Sequence, residues 1–143
     1  MIYMQPINGT EVRKNWSSVC DQARVRPNFI KRTHDRMCLL SEETLLKLLS
    51  NATFECFVYA EEDGSFTAAL NSIDLAENGK TREDALDALS KAIYEYAEEY
   101  YDAYDLYSRS PNRAPHLPYV IKALLLGSAE NVRKELIWQN GAN

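Results

Sequence analysis

The chain has 143 residues, of which 45% are hydrophobic and 26% charged, with a formal net charge of −5. This composition is typical of a soluble globular protein and argues against a wholly disordered chain. No apolar run approaches the ~20 residues needed to span a bilayer, and the N-terminus lacks the pattern of a secretory signal. We therefore expect a cytoplasmic protein with one ordinary domain or two small ones.

Charge is divided unevenly between the two halves of the chain. Residues 1–50 contain eight Lys or Arg and five Asp or Glu, a net +3, whereas residues 51–143 contain eight basic and sixteen acidic residues, a net −8. Such asymmetry indicates a polyanionic partner for the first half and a basic partner for the second. A simple solubilising surface is nevertheless the commoner reason for a small basic excess.

The first half predicts the element order β-α-β-β-α. "MIYMQPI" predicts a short edge strand, and "NGTEVRKNWSSVCDQARV" predicts a helix with Thr10 as its N-cap. The predicted apolar face of that helix consists of Val12, Trp16, Val19 and Ala23. "RPNFIKR" and "RMCLLS" predict a hairpin that turns at "THD", and Ser41 begins a second helix, "SEETLLKLLS". Arg13 and Lys14 are expected near the start of the first helix, where they would oppose its dipole.

The second half begins with a β-β-β-α pattern. Apolar residues alternate along residues 54–58 and 66–70, the turn "EEDGS" contains Gly64, and a third short strand is expected at residues 73–75. Thr81 caps a long helix that is expected to run to residue 105. One face of it is apolar and aromatic, with Leu86, Leu89, Ile93, Tyr96, Tyr100 and Tyr104, and the opposite face is acidic, with Glu83, Asp87, Glu95, Glu98 and Glu99.

The chain is expected to end in a proline-rich loop and two short helices. "SRSPNRAPHLPY" predicts the loop, and "YVIKALLLG" the first helix. "SAENVRKELIWQNG" predicts the second helix, with Ser128 as its cap and Gly141 at its end. The expected fold class is therefore α+β, with a first domain at residues 1–50 and a second at residues 51–143.

The sequence offers little for catalysis or metal binding. Three cysteines without a C-x-x-C pair predict free thiols rather than a disulfide framework or a zinc site. The candidates for an enzyme would be Cys20, Cys38 and the histidines His34 and His116. Because no glycine-rich phosphate loop is present and the histidines lie in turns or loops, we expect no enzyme, no cofactor and no metal site.

The residues TEVRKNWSSVCDQARVRPNFIKRTHDRMCLLSEETLLKLL resemble the prevent-host-death (Phd/YefM-type) antitoxin domain in the order and spacing of their motifs. The resemblance covers roughly residues 3–50 and implies a dimer that binds operator DNA. It implies DNA contacts by Arg13 in "VRKN" and Arg32 in "IKR"; we add Lys14, Lys31 and Arg36 by their proximity. Trp16 replaces the family's usual leucine, and "THDR" replaces its glycine-containing turn.

The segment "FECFVYAEEDGSFTAALNSIDLAENGKTREDALDALSKAIYEYAEEY" looks like a HicB-type antitoxin module, with its E-x-D-G hairpin and its helix entry after Gly79. The resemblance implies that residues 51–143 neutralise a toxin, and their acidity suits a basic partner such as a ribosome-associated endoribonuclease. The residues that we suggest for toxin contact are Tyr96, Tyr100, Tyr104, Arg113, His116 and Tyr119.

The main interpretation is an antitoxin that represses its own operon as a homodimer, with the pairing of dimers into a tetramer left open. Its expected partners are operator DNA and a cognate toxin, with no membrane. The alternative is a stand-alone transcriptional regulator, or a ligand-binding or assembly module, without a toxin. The toxin's identity, the operator sequence and the residues that touch the toxin lie beyond what the sequence indicates.

Overall fold

The computed structural model describes residues 6–142, and the chain divides into two compact units, Met1–Leu48 and Leu49–Asn143. Over the described residues there are seven α-helices and two β-sheets, so the predicted α+β class is confirmed. No helix within residues 6–142 is long and apolar enough to cross a membrane.

The first unit combines a three-stranded sheet with three short helices. Its strands are β1 (Ile7–Asn8), β2 (Asn28–Arg32) and β3 (Asp35–Leu39), in the order β1-β2-β3, with β1 parallel and β3 antiparallel to β2. Its helices are α1 (Gly9–Lys14), α2 (Trp16–Val25) and α3 (Glu42–Leu48). Ser41 caps α3 as predicted, because its Oγ accepts a hydrogen bond from the Thr44 amide at 3.1 Å. The strand predicted from "MIYMQPI" lies mostly in residues 1–5, outside the described part of the chain.

The single helix predicted between residues 10 and 25 is in fact two helices. Asn8, rather than Thr10, is the N-cap of α1, since its side chain accepts a hydrogen bond from the Thr10 amide at 2.8 Å. Asn15 ends α1 with non-helical dihedrals, and its side-chain amide donates to the Glu11 carbonyl. The break changes the direction that later residues face, so Trp16 is 54% exposed and not part of a buried stripe.

The second unit is a four-stranded sheet covered by helices. The strands are β4 (Phe54–Ala60), β5 (Phe66–Leu70), β6 (Leu75–Gly79) and β7 (Leu136–Asn140), in the order β6-β5-β4-β7. The helices are α4 (Arg82–Asp102), α5 (Tyr104–Tyr107), α6 (Leu117–Leu126) and α7 (Ala129–Glu135). One core joins β4 and β5 to α4, α6 and α7.

The prediction of a helix as far as Gly141 is wrong for residues 136–140, which form strand β7. The chain leaves α7 at Leu136 and pairs parallel with β4, so that Leu136 lies beside Phe54. The spacing of Val132 and Leu136 fits a helix, but the next residues, Ile137 and Trp138, are good strand formers. Pairing with the edge of β4 favours a strand over a helix here, because an unpaired edge of β4 would leave its backbone amide and carbonyl groups without partners.

Other boundaries differ more modestly from the prediction. The third strand begins at Leu75, after a 3₁₀ turn at Asn71–Ile73, and the long helix ends at Asp102. Helix α6 starts at Leu117, inside the predicted loop, with proline in its first turn, a position that tolerates the missing amide hydrogen. The predicted caps Thr81 and Ser128 both accept hydrogen bonds from their helices.

Candidate functional site

The hairpin of β2 and β3 carries three exposed basic residues, Lys31, Arg32 and Arg36. Lys31 pairs with Arg36 and Arg32 pairs with Asp35 across the two strands. The hairpin turns at residues 33 and 34, and Thr33 adopts a φ of +54°, a conformation that is uncommon for a β-branched residue. Every residue from 31 to 38 is exposed, so the hairpin tip is open to a partner.

The hairpin separates the predicted DNA-contacting residues into two groups. Paired residues of antiparallel strands share a face, and successive residues alternate between faces. Arg32 therefore shares the face of Asn28, whose side-chain amide donates to the Val19 carbonyl of α2 at 3.2 Å. Lys31 and Arg36 lie on the opposite face of the hairpin. The five basic residues thus do not form one continuous row.

Arg32 and Arg13 lie on the same side of the first unit. A Cβ built on Gly9 would lie 3.4 Å from Cγ of Arg32, so the start of α1 rests against the stem of that side chain. Arg13 follows Gly9 by four residues and therefore lies one turn further along the same face of α1. Arg32 also forms an exposed ion pair with Asp35 at 3.4 Å.

The prediction that Arg13 and Lys14 oppose a helix dipole is wrong. They occupy the last turn of α1, where positive charge is favourable, because α1 ends at Lys14. Lys31 and Arg36 are the pair that carries a cost, since like charges directly opposite each other on a sheet repel.

Four of the six residues suggested for toxin contact, Tyr96, Tyr100, Arg113 and His116, form a cluster of buried and half-buried side chains in the second unit, which we call the clasp. The Tyr100 side chain is fully buried, and its hydroxyl donates to the Arg113 carbonyl at 3.0 Å. The Tyr96 hydroxyl shares a hydrogen bond with Nδ1 of His116 at 2.7 Å. The Arg113 guanidinium lies over the Tyr107 ring, 3.9 Å from its centroid. The clasp fastens the proline-rich segment to α4, so these side chains have internal partners.

Burial shifts the pKa values of three side chains in the clasp. It raises the pKa of both Tyr96 and Tyr100 and lowers the pKa of His116, in each case because the charged form loses hydration. Tyr119 packs against Phe54, with ring centroids 6.2 Å apart. Of the six residues suggested for toxin contact, Tyr104 is the one classed as exposed, at 37%.

An exposed acidic and apolar surface lies at the end of α4 and in α5, and we call it the α4–α5 surface. Tyr101 is 61% and Leu106 is 67% exposed there. The exposed carboxylates around them are Glu98, Glu99, Asp102 and Asp105. No ion pair joins any of these four to another residue within residues 6–142, and the last turn of α4 has no basic residue. Tyr101 was not predicted from the sequence as a contact residue, because it lies one residue away from the aromatic face of α4.

The acidic face predicted for α4 is partly neutralised. Arg133 of α7 is hydrogen-bonded to Glu83 and, at 3.1 Å, to Asp87. These two ion pairs join α4 to α7, and the single positive charge of Arg133 offsets one of the two negative charges of Glu83 and Asp87. The free acidic charge is therefore concentrated toward the C-terminal end of α4.

The residues named as enzyme candidates do not form a reactive arrangement. Cys20 is half-buried on α2. Cys56 was not among the candidates; burial raises the pKa of its thiol to about 11, against an opposing effect of Arg133, so this thiol stays protonated. Cys38 is exposed on β3, and His34 lies in the exposed hairpin turn. His116 is hydrogen-bonded to Tyr96.

Comparisons with known proteins identify the family. A family model described as "Antitoxin of toxin-antitoxin, RelE / RelB, TA system" matches residues 1–138. A solved structure from Syntrophomonas wolfei subsp. wolfei, presented as the antitoxin part of a proposed toxin/antitoxin system, superposes with a TM-score of 0.87 at 29% identity. That alignment covers 96% of this chain and 100% of the other. A comparison with curated proteins finds no match.

Both findings point to a non-enzymatic regulatory protein, as the sequence predicts. They also imply a cognate toxin as its partner. Because the family model spans nearly the whole chain, the protein belongs to this PHD-like family of toxin–antitoxin antitoxins.

Proposed function

We propose that this antitoxin binds the DNA upstream of its own operon through the first unit. The observation that carries the proposal is the pairing of Lys31 with Arg36. Two like charges in register cost stability in the free protein, and a phosphate backbone would remove that cost. Arg13 and Arg32 would add contacts from the other side of the hairpin, as the resemblance to the Phd/YefM domain implies.

DNA binding through these residues can be tested by measuring affinity over a range of salt concentrations. We expect Arg32→Ala and Arg13→Ala each to weaken binding several-fold and to reduce the slope of log affinity against log salt by about 0.9. Arg24→Ala is the matched control, because Arg24 is an exposed residue of α2 that pairs with Asp21. Absence of binding to the upstream DNA at low salt, or an equal loss with Arg24→Ala, would contradict the proposal.

The first unit is proposed to act as a homodimer. Between residues 6 and 48 its buried side chains are few, and large apolar side chains remain exposed, including Trp16 (54%), Val25 (82%) and Met37 (47%). Exposed apolar surface of this extent is typical of an interface. A dimer would also place two hairpins on the DNA, which suits an operator with two half-sites.

The second unit is proposed to neutralise an RNase-type toxin by direct binding. Its support is the α4–α5 surface, where exposed Tyr101 and Leu106 are surrounded by unpaired carboxylates. Enzymes that act on RNA need basic surfaces, so complementary charge would speed their encounter with this unit. Repression of the operon would follow from both activities on one chain. This division of labour rests on the likeness of residues 1–50 to Phd/YefM and of residues 51–143 to HicB-type antitoxins.

Toxin binding can be tested by co-purification with the product of the adjacent reading frame. We expect Asp102→Asn and Tyr101→Ser to reduce the recovered partner, and Glu130→Gln, an exposed acid of α7, to leave it unchanged. If Glu130→Gln alone reduced the recovered partner, the toxin contact would lie on α7 and not on the α4–α5 surface. Failure of the wild-type chain to retain the partner would contradict direct binding.

A further inference from the structure

The two edges of the second sheet differ in how they are protected. Strand β6 forms one edge and carries Glu77 and Asn78, with Lys80 directly after it. Strand β7 forms the other edge, and its sequence "LIWQN" has no charge and no proline. Proteins commonly place charges or proline on free edges, because an edge of unpaired amide and carbonyl groups otherwise pairs with another strand.

The unprotected edge is also apolar and accessible. Ile137 is 57% and Trp138 is 37% exposed, and within residues 6–142 β7 bonds along one side only, to β4. Ile137 is paired with Glu55 and Trp138 with Cys56, and because successive residues alternate, the two side chains point to opposite faces of the sheet. Residues of both strands line a shallow groove across the β4–β7 pair. An edge with these properties is suited to accept an extended strand.

We propose that β7 pairs antiparallel with β7 of a second copy of this chain. A two-fold axis places identical residues near each other, so a strand used in this way must tolerate its own sequence. β7 has no charged residue to repel its copy, whereas the β6 edge would bring Glu77 close to the Glu77 of its copy. A second copy is therefore the occupant that the chemistry of this strand favours.

The register of the pair follows from the length of the strand. Centring the axis on Trp138 pairs all five residues of Leu136–Asn140, and it keeps the helices of both copies on one side of a continuous sheet. Trp138 would then lie opposite the Trp138 of its copy, and Ile137 opposite Gln139. A cross-strand pair of aromatic rings adds to the stability of such a contact.

This contact is separate from the dimer proposed for the first unit, and the two can be distinguished by mass. With both contacts the full chain forms assemblies larger than a dimer, and we expect Ile137→Lys to reduce them to dimers in light scattering. Ala76→Lys is the matched control, since it adds the same charge at an exposed position of the opposite edge strand β6. Met37→Glu instead tests the first unit, and its combination with Ile137→Lys should give monomers.

The salt dependence of self-association provides an independent test of the β7 contact. Two acidic second units repel each other, so we expect salt to strengthen association through β7, whereas it weakens binding to DNA. Weakening of the Ile137-dependent association by salt would overturn the proposal.

Cross-linking tests the register. Residues directly opposite in an antiparallel pair have Cα atoms about 4.5–5.5 Å apart, within the range of a disulfide. In a Cys38→Ser background, Trp138→Cys should therefore cross-link between copies on oxidation. Gln139→Cys should not, because its two-fold mate would be about 8 Å away.

Two further results would overturn the proposal. One is an unchanged mass of the full chain after Ile137→Lys together with no cross-link through Trp138→Cys. The other is a normal self-association of Ile137→Lys combined with loss of toxin co-purification, which would assign this edge to the toxin. Loss of DNA binding with an intact β7 cross-link would contradict the proposed function and leave this inference standing.

Discussion

His116 connects the proline-rich segment to the long helix of the second unit. Burial lowers its pKa below the ordinary 6.5, the positive charge of Arg113 acts in the same direction, and Asp74 opposes them. The neutral ring shares its Nδ1 with the Tyr96 hydroxyl. A histidine that is harder to protonate in the folded chain destabilises the fold in acid, because the unfolded state binds more protons.

We predict that the contribution of His116 to stability is fully present above pH 6.5 and is lost as the pH falls toward its lower folded pKa. His116→Leu should cost about 1–2 kcal/mol at pH 7.5, since the Tyr96 hydroxyl loses its partner. It should also flatten the dependence of the unfolding free energy on pH below 6.5. Urea denaturation at several pH values measures both effects, and identical slopes in the two proteins would contradict the prediction.

Arg133 joins two helices at the surface rather than in the core. Its partners Glu83 and Asp87 have side chains 69% and 67% exposed, so solvent screens both interactions. We predict that Arg133→Gln lowers the unfolding free energy by about 1 kcal/mol, and by less in 1 M salt. Lys134→Gln, at the exposed neighbouring position, should change it by under about 0.5 kcal/mol. A salt-independent loss at Arg133 would indicate packing of its stem instead.

At the scale of elements, Gly79 determines how closely β6 approaches α4. A Cβ at this position would overlap the backbone nitrogen of Ala85 and the Cβ of Asp84, in the first turn of the helix. The sequence places Gly79 at a turn, but only the structure shows that backbone atoms occupy the space where a methyl group would be. Backbone cannot move aside as a flexible side chain can.

We predict that Gly79→Ala destabilises the second unit by about 2–3 kcal/mol, because β6 and α4 would have to separate. Chemical denaturation followed by far-ultraviolet circular dichroism measures the change. Lys80→Ala, at the next and exposed position, serves as the control and should have little effect. If Gly79→Ala left the unfolding free energy unchanged, the start of α4 would be shown to shift at low cost.

Capping residues marked helix starts well, while helix ends and strand pairing were less predictable. Ser41, Thr81 and Ser128 cap α3, α4 and α7 as expected, because a cap depends on a few adjacent residues, whereas the cap predicted at Thr10 is Asn8. The break at Asn15 was missed, since the apolar spacing continues across it. Strand β7 was missed because its partner β4 lies about eighty residues earlier in the chain.

At the scale of the whole molecule, the two units differ in how much core they contain. The second unit buries a continuous cluster that includes Phe54, Leu86 and Tyr100. In the described part of the first unit, the buried side chains are Val12, Val19, Ala23 and Asn28. So small a core stabilises a unit of this size poorly unless a partner covers its exposed apolar side chains.

We predict two thermal transitions in calorimetry of the full chain, with the first unit unfolding at the lower temperature. That transition should move upward with protein concentration, because dimerisation stabilises the folded form by mass action. Met37→Glu should remove the concentration dependence of this transition. One cooperative transition that is insensitive to concentration would contradict both the weak core and its stabilisation by a dimer.

The sequence by itself determined the α+β class, the β2–β3 hairpin, the long helix with its cap, and a likeness to antitoxins that the family match confirms. DNA contacts by Arg13 and Arg32 stay a prediction. Only the tertiary structure decided that Arg32 faces away from Lys31 and Arg36, that Tyr100 and His116 point inward, and that the chain ends in a strand. Local spacing records the period of a helix or strand, whereas burial and pairing depend on residues far away in the chain.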